Sequence, residues 1–77
     1  MPAWMRYRGW VFSIFAGDTT LRPHVHIRKD GAELKVWLDD LSIARNRRVG
    51  SKDEKMLLRV VAEHREKFME KFRDQIG

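Results

Sequence analysis

His24 and His26 stand two residues apart in Pro23-His24-Val25-His26-Ile27, and at that spacing on a strand both side chains project to one face, their β-carbons about 7 Å apart. Imidazoles so placed suit three kinds of chemistry. The first is metal binding. The two rings can share one ion, but a catalytic site needs a third ligand; Glu33, Asp39 and His64 are the candidates, and no His-x-x-x-His spacing chooses among them. The expectation is therefore no metal and no cofactor, with His24 and His26 as the ligands should a metal bind. The second is acid–base catalysis on RNA, with one histidine giving and the other taking a proton while Arg22, Arg28 or Lys35 holds the phosphate. Lys35 would favour the neutral form of His26, whereas His24 beside Trp37 has no evident charged neighbour, so the two rings are expected to titrate differently. The third is binding without chemistry, in which Arg22, His24, His26, Arg28, Lys35 and Trp37 form a basic, aromatic face suited to stacking a base, contacting phosphate or docking an acidic protein.

All three need a sheet that presents these residues together. Asp30-Gly31 lies between His24-Val25-His26-Ile27-Arg28-Lys29 and Ala32-Glu33-Leu34-Lys35-Val36-Trp37-Leu38, and an Asp-Gly pair between alternating apolar residues signals a two-residue hairpin turn. That turn pairs Lys29 with Ala32, Arg28 with Glu33, Ile27 with Leu34, His26 with Lys35, Val25 with Val36 and His24 with Trp37. One face is then wholly apolar: Val25, Ile27, Leu34 and Val36. A one-residue slip would mix the two sets. Before the hairpin, the aromatic and β-branched run at about 9–16 reads as a strand, with burial expected on much of both its faces. After it, residues 41–45 read as a further short strand, and Arg45 to Gly50 as a basic connection carrying Arg47 and Arg48, the remaining phosphate-contact candidates.

A helix is expected over about 51–76. Ser51 and Glu54 have the spacing of a capping box, with Asp53 at the positive end of the dipole. Leu57, Leu58, Val61, Phe68, Met69, Phe72 and Ile76 form a stripe that must cover the apolar hairpin face. At 1.5 Å per residue such a helix is roughly 37 Å long, longer than the sheet, so its Phe68–Ile76 end is offered either as a homodimer contact or as a seat for the N-terminal aromatics Trp4, Tyr7 and Trp10.

Seventy-seven residues make a single domain, 1–77, of class α+β: a small antiparallel sheet of three or four strands packed against one long C-terminal helix. A chain so short buries only about 60% of the surface its unfolded form exposes, and without cysteine it has no disulfide or thiolate support. The sixteen Lys and Arg against eleven Asp and Glu give a formal charge of +5, which biases the surface toward phosphates or acidic proteins. Nine basic and five acidic side chains fall in residues 1–50, seven and six in 51–77, so the excess lies ahead of the helix. Neither a signal peptide nor a membrane-spanning run is legible, and the expectation is a cytoplasmic protein with no membrane contact. Nucleophilic catalysis and P-loop chemistry are excluded: Ser13 lies in an apolar strand, Ser42 has no motif, Ser51 is assigned to the helix start, and the glycines are scattered.

The segments Pro23-His24-Val25-His26-Ile27, Lys35-Val36-Trp37-Leu38-Asp39, Ile43-Ala44-Arg45 and Glu63-His64-Arg65-Glu66 resemble a family of short bacterial proteins described only as a domain of unknown function. Its members share a Pro-His-x-His-Val-like strand, and the likeness runs over about residues 9–77. This chain departs from the pattern in having Arg22 before Pro23, where a second proline is common, and His64 where asparagine is common. The resemblance implies a second small protein encoded alongside, in a toxin–antitoxin-like pair. The expected function is thus one component of such a pair, acting by protein–protein and RNA binding through the His/Trp face; the alternative is an RNA-cleaving or metal-dependent enzyme using the paired histidines.

Overall fold

A computed structural model describes residues 5–14 and 22–76, the side chains of residues 75 and 76 excepted. Five antiparallel strands form one sheet in sequence order: β1 (Met5–Tyr7), β2 (Trp10–Ser13), β3 (His24–Lys29), β4 (Ala32–Trp37) and β5 (Ile43–Arg47). The helices α1 (Ser51–Glu63) and α2 (Arg65–Ile76) follow. The α+β class is as expected; the three or four strands become five, and the single helix becomes two.

The β3–β4 hairpin has all six residue pairs that its turn implied, from His24 opposite Trp37 to Lys29 opposite Ala32. Asp30 and Gly31 have φ of 46° and 83°, the left-handed backbone that a two-residue turn of this kind requires. Arg8 and Gly9 make a second such turn, at φ 50° and 85°, and pair β1 with β2 from Tyr7 opposite Trp10. A three-residue strand shows no period, which is why β1 is missed in the sequence, while β2 starts where the aromatic run does. In β2 only one face is fully buried, by Trp10 and Phe12 with Ile14 beyond it, while Val11 and Ser13 are half-buried; Phe15, Ala16 and Trp4 lie outside the described residues.

The segment expected at 41–45 is a strand, displaced to Ile43–Arg47. Lys35 pairs with Arg45 but Val36 with Ile43, so Ala44 is the extra residue of a bulge. Much of the basic connection is therefore strand. Asn46, not Ser51, secures the passage into α1: its Nδ2 donates to Val49 O at 3.1 Å and to Glu54 Oε2 at 2.6 Å, and its Oδ1 accepts Val49 N–H at 3.0 Å. The N-cap is Gly50, with no side-chain cap; the capping box does not form because Asn46 already holds the Glu54 carboxylate.

The apolar sheet face and the helices share one core. Phe12, Val25, Ile27, Leu34, Val36, Leu38, Leu57, Val61 and Phe68 are all fully buried. Between Val61 and Phe68 the helical stripe passes through polar His64 and Arg65, and there the helix breaks. The His64 N–H is shared between Val60 O and Val61 O, both at 3.2 Å, and its φ and ψ of −112° and 17° leave the helical region. The break turns α2 across the end of the sheet. Arg65 donates from Nε to Leu38 O at 2.6 Å and from Nη2 to Asp39 O at 2.9 Å, Phe68 stacks on Phe12 with centroids 5.9 Å apart, and Phe72 meets His24 at 5.6 Å. Phe68 and Phe72 are therefore buried within the chain itself, and the overhang expected of a straight helix does not arise.

Candidate functional site

Alternation places His24, His26, Arg28, Glu33, Lys35, Trp37, Arg45 and Arg47 on the sheet face opposite the core. They divide into two groups with different environments.

At the end crossed by α2 lie Arg22, His24 and Trp37. His24 is fully buried. Its ring lies edge-on to His26, Trp37 and Phe72, with centroids 5.1, 5.7 and 5.6 Å away. Its Nδ1 is 2.8 Å from Arg22 O; a carbonyl only accepts, so Nδ1 carries the hydrogen and donates, and Nε2 points into the buried interior. Arg22 forks onto Asp39, from Nε to Oδ2 at 2.8 Å and from Nη2 to Oδ1 at 3.0 Å, and approaches Asp40 at 3.3 Å. It also lies over the Trp37 ring at 4.2 Å, while the Lys35 ammonium is 5.0 Å from the same ring. The Arg22 hydrogen bond holds the Asp39 carboxyl below the usual carboxylate range, and the Ser42 hydroxyl and N–H, which both donate to Asp40 Oδ1, do the same for Asp40. This corner is a closed network.

The middle of the face is open and basic. His26 Nδ1 donates to Glu33 Oε2 at 3.4 Å, and Arg28 Nε to the same oxygen at 3.2 Å; Arg45 Nη1 stands 3.9 Å from Oε1. The Glu33 side chain is 14% exposed and carries cations that are 61% (Arg28) and 67% (Arg45) exposed. Burial would raise the Glu33 pKa, but the hydrogen bonds from Arg28 and His26 outweigh it and hold the carboxylate below its ordinary range. His26 is pushed below its ordinary value, chiefly by burial, then by His24 and least by Lys35, against the opposing pull of Glu33. The direction expected from Lys35 is correct and its main cause is different.

Arg47 joins this face beside Arg28 and Glu33 around a hollow of about 680 Å³. Arg48 lies past β5 in the turn to α1, at φ 61°, and is not part of the face. Arg45 is the member that sequence reasoning missed; the alternation Arg45-Asn46-Arg47 was its signal, obscured by reading the basic run as a connection. Of the three candidate third metal ligands, Glu33 meets His26, Asp39 is held by Arg22, and His64 packs edge-on to Phe68 at 6.4 Å. Among the described residues no three His, Asp or Glu side chains are placed to hold an ion together, and no described helix is long and apolar enough to cross a membrane.

The His26 environment sets a sign. The folded state binds a proton at His26 less readily than the unfolded chain, whose value is near 6.5, so stability is complete above that pH, is lost as pH falls through it, and levels off below the lower folded value. Proton NMR should show His26 titrating below pH 6.5, and Glu33→Gln, which removes the charge that raises it, should lower the midpoint further. A midpoint at or above 6.5 would contradict this account.

No curated protein and no solved structure is significantly similar to this chain. A family model described as a domain of unknown function, DUF4160, matches residues 9–73, a span that takes in β2 to β5, the whole basic face of β3 and β4, all of α1 and most of α2. The chain belongs to the DUF4160 family.

Proposed function

We propose that this protein works by binding, as one component of a bacterial toxin–antitoxin-like pair, and that the open face centred on Glu33 docks an acidic surface of the second small protein. The supporting observation is the cluster Arg28, Arg45 and Arg47, three cations gathered about one mostly enclosed carboxylate, with Lys35 on the same face opposite Arg45. Docking fits this face better than base stacking, because the Trp37 ring is already approached by Arg22 and Lys35. It also fits better than catalysis by paired histidines, because His24 is enclosed and donates to a backbone carbonyl.

Co-expression with the protein encoded alongside tests the reading. The two should co-purify, and growth arrest caused by either alone should be relieved by both. Lys35→Glu with Arg45→Glu should weaken the complex by about tenfold or more, with a marked loss of salt sensitivity, since such charges act largely through steering and complementarity. His26→Ala should leave it nearly intact. Co-purification insensitive to both reversals and to salt would overturn the proposal.

One observation favours a second reading. His26 is oriented by Glu33 within a ring of cations, an arrangement suited to a general base near a phosphate. Under that reading His26→Ala abolishes RNA cleavage by a folded protein and the charge reversals act on substrate affinity.

A further inference from the structure

A second groove runs between the β1–β2 and β3–β4 turns and the first half of α1. It encloses about 580 Å³ and is lined by Arg8, Lys29, Lys52, Lys55 and Arg59, against the single carboxylate of Asp53. Lys52, Lys55 and Arg59 follow one another at three and four residues and so form one stripe of α1. Arg8 and Lys29 face them from the turns. Lys29 is fixed there: its Nζ donates to Arg8 O at 3.4 Å and lies 5.6 Å from the Trp10 ring. Gly9 leaves room for it, since a β-carbon at that position would stand 3.2 Å from Lys29 Cε.

The contrast with the sheet face is electrostatic. There Arg22, Arg28 and Arg45 stand beside carboxylates. Among the described residues no ion pair holds any of the five groove cations, so the groove carries a net charge of +4 from its own lining (five cations less Asp53). Like charges gathered in a concave surface repel one another unless an anion lies between them. We infer that this groove holds the phosphodiester backbone of a single nucleic-acid strand.

Three features favour that occupant. Protein partners take their affinity from aromatic or aliphatic anchors in pockets, and the one aromatic ring here, Trp10, is only 4% exposed with Lys29 above it. A groove of this volume accommodates a few phosphates of one strand. Lys29 also lines the adjoining hollow that contains Arg28 and Arg47, so a polymer leaving the groove meets further cations, as a backbone-tracking channel requires. With no exposed ring to stack on and no base-reading side chain, binding should be indifferent to sequence.

The test is fluorescence anisotropy of the full chain with a labelled twelve-nucleotide oligouridylate and, separately, a labelled polyglutamate peptide, each across a salt series. Oligouridylate should bind with a log–log salt slope of about −3.5, from roughly five cations on a single strand, and polyglutamate at least tenfold more weakly. Reversal of the α1 stripe, Lys52→Glu with Lys55→Glu and Arg59→Glu, should lower RNA affinity about a hundredfold and flatten the slope. The charge-preserving set Lys52→Arg, Lys55→Arg and Arg59→Lys should retain affinity, and circular dichroism establishes that each set is folded. Arg45→Glu, outside the groove, should leave RNA binding within about threefold while impairing co-purification of the partner, which separates this inference from the docking proposal. Absent binding by the folded wild type, affinity unchanged by the stripe reversal, or polyglutamate bound as tightly as RNA would each overturn it.

Discussion

Replacing His24 by alanine should lower the thermal unfolding midpoint by roughly 10–20 °C, the equivalent of about 2–4 kcal/mol in a domain of this size. His24 resembles a core residue more than a site residue. Its ring fills the space between Trp37, His26 and Phe72, so truncation leaves a cavity bounded by aromatic edges that cannot collapse into it. It also removes the Nδ1 donor to the carbonyl of Arg22, and the loss of a part-buried hydrogen bond carries its own penalty. His24→Asn should recover part of the loss, because an amide nitrogen on Cγ stands where Nδ1 stands. His26→Ala, on a half-buried side chain, should shift the midpoint far less. Loss of function in a His24 variant would then follow loss of fold. A His24→Ala protein that melts within about 2 °C of wild type would return this histidine to the list of chemical groups.

The largest stability effect is expected at Phe68. Its ring is fully buried and stacked on Phe12, and with Arg65 and Phe72 it holds α2 on the sheet. Phe68→Ala should remove about 3–5 kcal/mol. A 77-residue domain has a total stability of only about 4–12 kcal/mol, so the variant should be partly unfolded at 37 °C and its urea midpoint should fall by a third or more. Phe68→Leu should restore much of it, and Lys67→Ala, exposed on the same turn, should be close to neutral. Should Phe68→Ala unfold at the wild-type midpoint, the placement of α2 over the sheet would be wrong, and with it the burial of His24 beneath Phe72.

Parts of the architecture were legible because their causes are local. Asp30-Gly31 sets a left-handed turn, a turn of two residues sets the register, and a period of two then sorts Val25, Ile27, Leu34 and Val36 from His26, Arg28, Glu33 and Lys35. The pairing of Arg28 with Glu33 needed nothing beyond that arithmetic. Arg45 escaped because the strand expected at 41–45 runs on to Arg47, and the bulge at Ala44 that sets which way Arg45 faces is plain only from the pairing with β4. Ser51 does not take the capping role its spacing predicts: the N-cap is Gly50 with no side-chain cap, and Glu54 is held instead by Asn46 from another element, a competitor that only the fold brings in.

The amino-acid sequence by itself therefore determined the α+β class, the central hairpin with its register, the apolar and basic faces, and the helical stripe from Leu57 to Phe72. Only the tertiary structure decided what His24 is. In the isolated hairpin it shares a face with His26, and nothing there marks one of the two for burial. The break at His64 follows no proline or glycine; it lets Arg65 reach the carbonyls of Leu38 and Asp39 and carries Phe72 over the sheet end onto His24. One histidine is thereby enclosed and the other left half-buried beside Glu33. Short-range pattern fixes which way a side chain points, but what covers it depends on contacts between residues distant in sequence, and these separate an enclosed histidine from a half-buried one.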